Sequence, residues 1–327
     1  MNRRDTLLAL LAIGAAGKPL SGNAQSVAKL QRVAILLGGT AAIEKPSEDA
    51  FLQGLAAFGR KEGANLFVDR RYAEGRVELL PALAEKIVLG NPDVIFAPTR
   101  LASEAARKYT RTIPIVFCTF PDPVKAGMVA SLARPGGNAT GLTQMLIELT
   151  GKRLELLKEA VTRLKRVGAL SSGDVTSVDQ LEELRRSAQR LGIEVILVEA
   201  NRVEVYAEAL AAVRQARVEG LFVLGSIQNS THRRLIAELC VKHKLPTMFT
   251  SAPNTEAGGL MSYAPEPLAL FRSAADYVDR IFKGAKPADL PVQQPTEFEL
   301  VINQKTARAI GLAIPQSLFA RANRVIE

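Results

Sequence analysis

Short runs of consecutive apolar residues alternate along this chain with longer stretches in which apolar positions recur every three or four residues. Val33-Ala34-Ile35-Leu36-Leu37 is the first short run, and 66–68, 94–97 and 113–118 repeat it, while 48–61, 79–89 and 100–109 carry the helical period between them. The pattern restarts with strand-like runs at 167–170, 195–198, 221–224 and 247–249, separated by helical stretches at 178–191, 203–217 and 231–243. Strands alternating with helices predict parallel sheets built from right-handed βαβ units. Two such sets predict two domains, because a single core of this kind stops growing at about 300 residues. The boundary is expected at 141–148, where a Gly-rich loop meets a new helix. After Met261 the alternation breaks, and 263–267 and 287–295 read as connections.

The first residues have a different pattern. Met1-Asn2-Arg3-Arg4-Asp5 is followed by an apolar run over 7–16 and by small residues up to Ala24. A basic start, a short apolar core and a small-residue exit predict a secretory leader over 1–24. The apolar core is too short for a membrane span, which needs about 20 residues. Arg3-Arg4 leaves the twin-arginine route open. Cys118 and Cys240 are the only cysteines, so none stands at the leader exit to carry a lipid, and a soluble periplasmic protein without a lipid anchor is expected. Both cysteines fall in apolar patterns and read as buried free thiols, since a chain this long can bury a core without disulfides.

Net charge is +9, and the three Lys/Arg and one Asp of residues 1–24 leave +7 for the remainder. Nucleic-acid binding would call for a basic run interleaved with aromatics or a recognition helix. Here the basic residues are spread along helical stretches, as at Arg185-Arg186 and Arg233-Arg234, with acids nearby, so a solvated surface and no nucleic-acid partner are expected.

The most distinctive local motif is Asp122-Pro123-Val124 followed by Gly127-Met128-Val129-Ala130-Ser131-Leu132-Ala133-Arg134-Pro135-Gly136-Gly137-Asn138-Ala139-Thr140-Gly141-Leu142. With Gly151-Lys152-Arg153-Leu154-Glu155-Leu156-Leu157, Ala257-Gly258-Gly259-Leu260-Met261-Ser262-Tyr263 and the tail over 277–327, it resembles the ABC transporter substrate-binding proteins typified by tryptophan/tyrosine-binding components. The resemblance spans nearly everything after Leu30. It implies an α/β, two-lobed periplasmic-binding-protein fold of the type I-like kind, each lobe a parallel sheet flanked by helices, with a ligand cleft between the lobes. It implies capture of a small-molecule ligand for an ABC transporter permease in the inner membrane, with no enzymatic activity. It also implies repeated crossings between lobes, with 30–143 and about 267–290 forming lobe one, and 144–264 and about 292–327 forming lobe two.

In open parallel sheets, ligands bind beyond the carboxyl ends of the strands. The loops so defined are Gly38-Gly39-Thr40, Pro98-Thr99-Arg100 and Thr119-Phe120-Pro121-Asp122 in the first set of strands. In the second set they are Ser171-Ser172-Gly173-Asp174, Gly225-Ser226-Ile227 and Thr250-Ser251-Ala252. The candidate ligand residues are therefore Gly39, Thr40, Thr99, Arg100, Phe120, Asp122, Ser172, Asp174, Ser226 and Ser251, together with Tyr263.

Thr99 and Ser226 stand where helices begin, where they can cap the helix, help present its unpaired amides to a carboxylate, or both. Asp122 can cap a helix or meet a ligand amine, Asp174 can pair with an amino group from the opposite lobe, and Phe120 and Tyr263 can wall a ligand or belong to the core. Arg100 can clamp a carboxylate through paired hydrogen bonds or point into solvent. The family has small or Pro residues at Arg100, and an Asn-Pro loop where this chain has Ser171-Ser172-Gly173-Asp174, so ligand preference is not expected to transfer directly. The expected ligand is a small carboxylate-bearing molecule, an amino acid or an aromatic acid, and the protein is expected to act as a monomer.

No catalytic constellation is evident. His232 and His243 are the only histidines, no Gly-x-Ser-x-Gly elbow is present, and Gly136–Gly141 lacks the Lys-Ser/Thr of a phosphate loop. No Cys/His/acid cluster has metal-ligand spacing, so neither metal nor cofactor is expected. A sensor that presents its ligand to a membrane receptor is the alternative to transport.

Overall fold

The computed structural model describes residues 30–327, apart from the side chains of Phe120, Arg214 and Pro267, so the leader expected over 1–24 lies outside the described residues. The first sheet is built from β1 (Gln31–Leu37), β2 (Leu66–Tyr72), β3 (Val94–Phe96), β4 (Ile115–Phe120) and β5 (Ala139–Thr143). They lie in the order β2-β1-β3-β4-β5, every pair parallel. The last five residues of β1 are buried on both faces, which is why they form an unbroken apolar run. Val33, Ile35 and Leu37 enter one core and Ala34 and Leu36 the other. Helix α1 (Ala41–Ala57) covers the first face, and α2 (Leu80–Leu89) and α3 (Arg100–Tyr109) cover the second.

The second sheet follows α4 (Thr150–Ala160). Its elements run β6 (Arg166–Ser171), α5 (Val175–Leu191), β7 (Glu194–Glu199), α6 (Tyr206–Gln215), β8 (Gly220–Val223), α7 (Ile227–Thr231), α8 (Arg233–Lys242), β9 (Thr247–Phe249), α9 (Ala252–Glu256) and β10 (Met261–Ala264). After α10 (Pro267–Phe282) come β11 (Glu299–Asn303), α11 (Gln304–Ile310), α12 (Gln316–Arg321) and β12 (Arg324–Ile326). The strand order is β12-β11-β10-β9-β8-β6-β7. Helices α4, α5 and α11 pack on one face, and α6 and α8 on the other.

Helix α10 leaves the second sheet and packs along α1 on the first. The helices approach so closely that a Cβ on Gly54 would lie 2.6 Å from the Arg272 carbonyl oxygen. Phe96 of β3 stacks on Phe51 at 3.9 Å and meets Phe271 of α10 edge-on at 5.8 Å, which joins the sheet to both helices.

The pattern differs from the sequence expectation at the crossings. Part of the Gly-rich stretch read as a boundary loop is strand β5, and Tyr263 and Ala264, read as connection, end strand β10. The β10–β11 pair is the one antiparallel pair in the second sheet. Its cause is topological: β10 runs out towards the first sheet, and the chain returns from there into β11, entering from the opposite end. Before it returns, the Gln293 carbonyl accepts from the Thr143 amide at 2.9 Å and the Gln293 amide donates to the Gly141 carbonyl at 3.0 Å, so the returning segment lines the free edge of β5.

Candidate functional site

Because the strands of the first sheet are parallel, the loops after β1, β3 and β4 emerge at one edge; the loops after β6, β8 and β9 do the same in the second sheet. Every candidate loop therefore lies at a strand-end edge. Within each loop the hydrogen bonds decide which groups are committed to the fold.

On the first sheet, Thr40 caps α1, its Oγ1 accepting from the Ile43 amide at 3.4 Å. The Gly39 amide donates to Glu44 Oε1 at 2.8 Å, so that donor is already engaged. Glu44 was not among the sequence candidates. Burial pushes its carboxyl up, the Gly39 amide works against the shift, and neighbouring Glu48 adds to it. No periodic signal marks such a residue, since a glutamate in the first turn of a helix is ordinary.

Thr99 caps α3 by accepting from the Ala102 amide at 3.4 Å, and the earlier amides of that turn have no partner within the helix. Arg100 lies along its own helix, with Nε 2.9 Å from Glu104 Oε1. Asp122 Oδ1 accepts from the Lys125 amide at 2.9 Å. Phe120 ends β4, and its side chain is outside the described residues.

On the second sheet, Ser172 is buried and donates to Asp174, whose other oxygen caps α5 through the Ser177 amide at 3.0 Å. Ser226 caps α7, accepting from the Asn229 amide at 2.9 Å. Asn229 is itself held by the Leu224 carbonyl at 2.8 Å and the Tyr206 hydroxyl at 2.7 Å, so the Ser226 loop is rigidly backed. Ser251 precedes α9 but makes no side-chain cap bond. Tyr263 is half-buried at the end of β10, its ring 5.7 Å from Phe298. Cys118 and Cys240 are buried free thiols, both pushed up by burial. Among the described residues, no group of three or more His, Cys, Asp or Glu is placed to hold a metal ion, and no helix is long and apolar enough to cross a membrane.

Among the described residues, one ion pair joins the two edges. Lys125, in the loop after β4, places Nζ 2.7 Å from Asp179 Oδ1 on α5, and this pairing raises the Lys125 pKa. The lysine side chain is 56 % exposed and the aspartate 13 %. The exposed lysine leaves the pair open to screening by salt, with a Debye length of about 3 Å at 1 M. Added salt should therefore let the lobes separate in the parent protein, seen as a rise in radius of gyration by solution scattering. In Lys125→Ala that salt response should be smaller. An equal response in both would show that the pair does not hold the edges together.

Two α/β lobes flanked by helices, with loops converging at the strand ends, define a periplasmic-binding-protein fold. The chain belongs to the ABC transporter substrate-binding protein family, whose model matches residues 34–326, and it is thus a solute-binding protein rather than an enzyme. It is 26 % identical over 281 residues to a tyrosine-binding protein of Clostridioides difficile, covering 84 % of this chain and 81 % of that one. Its fold is similar to that of a conserved domain protein from Vibrio cholerae O1 biovar El Tor, with TM-score 0.85 and 28 % identity over 91 % of this chain and all (100 %) of that one. It is also similar to an ABC domain from Streptococcus pneumonia solved in complex with L-Trp, with TM-score 0.83 and 25 % identity, covering 90 % of this chain and 99 % of the other.

Proposed function

We propose that the protein is the periplasmic solute-binding component of an ABC importer, which captures an amino acid or aromatic acid by closing its two lobes. The observation that carries this reading is the Lys125–Asp179 pair, which brings together the two strand-end edges that hold the candidate loops. The relatives named for tyrosine binding and solved with L-Trp support an amino-acid ligand.

In this reading the ligand carboxylate accepts from the Thr99 and Ser226 hydroxyls, whose oxygens cap the helix starts while each keeps a hydrogen to donate. Arg100 would reach the same group only by leaving Glu104. Asp122 or Asp174 receives the amino group, and Tyr263 or Phe120 covers the apolar part. Gly39, Thr40, Ser172 and Ser251 complete the loops.

Calorimetry with L-tryptophan and L-tyrosine on Thr99→Val, Ser226→Ala and Arg100→Ala tests the scheme. A hydrogen bond to a charged group contributes about 1.5–3 kcal/mol, so Thr99→Val and Ser226→Ala should each weaken binding by about ten-fold or more. Arg100→Ala matches that loss if the guanidinium swings to the ligand and is neutral if it stays with Glu104. Parental affinity in all three would exclude the carboxylate-at-helix-start arrangement.

A further inference from the structure

Among the described residues, the largest fully buried side chain is a cation that ligand binding, as read above, does not use. Arg153 of α4 is 1 % exposed. Its Nε donates to the Tyr263 carbonyl at 2.7 Å and its Nη1 to the Leu146 carbonyl at 2.6 Å. Tyr263 lies in β10, just before the chain leaves for α10, and Leu146 lies in the segment from β5 to α4. One side chain thus holds two segments that pass between the sheets. Only a guanidinium offers several donors in a rigid fork that can span two separate carbonyls; a lysine ammonium is a single point.

The Leu146 carbonyl is gripped further, by Thr150 Oγ1 at 3.3 Å and by Gln180 Nε2 at 3.5 Å. Gln180 in turn accepts the Gly225 amide on Oε1 at 2.7 Å, in the loop that carries Ser226. The Leu146 side chain packs on the same loop, since a Cβ on Gly225 would lie 3.0 Å from each of its terminal methyls. On the other side of the crossing, Thr143 belongs to β5, and its amide donates to the Gln293 carbonyl at 2.9 Å. Between these two anchors stand Gln144 and Met145, and Met145 has φ +49°, a left-handed conformation uncommon for a residue with a side chain.

We propose that Arg153 is a positioning residue for ligand capture: with Gln180 it makes Leu146, Tyr263 and the Gly225 loop one rigid piece of the second lobe. Rotation of the lobes is then taken up, in this crossing, at Gln144 and Met145. The inference rests on the reading of the protein as a two-lobed capture device, but its test needs no ligand, so an error in ligand class leaves the result unchanged.

Spin labels on Glu85→Cys of α2 and Glu208→Cys of α6, both exposed positions, report the inter-lobe distance in the full chain, and the buried native thiols do not compete. Met145→Gly should broaden the distance distribution, because glycine accepts either sign of φ. Gln180→Leu and Arg153→Lys should broaden it too, the lysine keeping the charge but losing the two-point grip. Lys244→Gly, which relieves a φ of +53° next to β9 and away from the crossings, should not. A general loss of stability would lower the melting temperature without widening the distribution. If Arg153→Lys fails to fold, the other two variants decide. A parental distribution in Met145→Gly, in Gln180→Leu or in a folded Arg153→Lys overturns the proposal.

Discussion

Gly141→Ala should abolish or nearly abolish the folded protein. Gly141 of β5 pairs with Phe117 of β4, and a Cβ there would lie 1.8 Å from the Phe117 carbonyl oxygen. The obstacle is backbone rather than a side chain that can turn away, and φ of +147° is itself a conformation that L side chains rarely adopt. Overpacking a core typically costs about 1–3 kcal/mol, and a clash with a neighbouring strand's backbone belongs at or above the top of that range. The loss would detach β5 and, with it, the Gln293 segment on its free edge. Gly137→Ala is the control, with nothing within 4 Å of its added methyl. Soluble yield and thermal unfolding by circular dichroism separate the two. Gly141→Ala melting with the parent would mean that the β4–β5 contact is not as close as described.

Phe96→Ala should be among the costliest truncations in the first lobe. The ring is fully buried, stacks on Phe51 with planes 9° apart, and meets Phe271 at 85°. Truncating a buried Phe costs about 3–5 kcal/mol through lost transfer energy and the cavity left behind. Phe58, at 43 % exposed, is the comparison, and Phe58→Ala should stay within about 0.5 kcal/mol. Denaturant midpoints measure both. The effect should reach ligand binding as well, because Phe96 lies only three residues before Thr99 and holds α1, which begins beside Thr40. Equal midpoints for the two variants would remove the stack as the joint between β3, α1 and α10.

Most of the strands were readable because parallel strands buried on both faces must be continuously apolar; β1, β6 and β8 are of this kind. Strand β5 was not, because Ala139-Thr140-Gly141-Leu142-Thr143 has the small and Gly-rich composition of a loop. It is a strand only because β4 accepts a residue without a side chain at Gly141. Strand β10 is too short to establish a period, so nothing in 261–264 distinguishes it from the connection that follows. The capping roles of Thr99 and Ser226 were visible, since a short polar side chain at a strand-to-helix junction has a local partner three residues on, and Thr40 and Asp174 prove to cap in the same way. Arg100 was also local in its answer: Glu104 is four residues away, the spacing at which helix neighbours meet.

By itself, then, the order of apolar runs and helical periods determined the α/β class and the loops at the strand ends, and the motifs at 122–142, 151–157 and 257–263 carried the family resemblance, because each depends on patterns within a few residues. The partners of Arg153 were decided elsewhere: Tyr263 is 110 residues away in sequence, and Gln180 reaches Gly225 across 45. Lys125 and Asp179 are separated by 54 residues and belong to different lobes. Glu44 owes its raised pKa first to burial, with Glu48 on the next turn adding to it. A buried cation bound to carbonyls, an ion pair between lobes and a desolvated acid have no local signature, because each is defined by which segments the fold brings together, and only the tertiary structure does that.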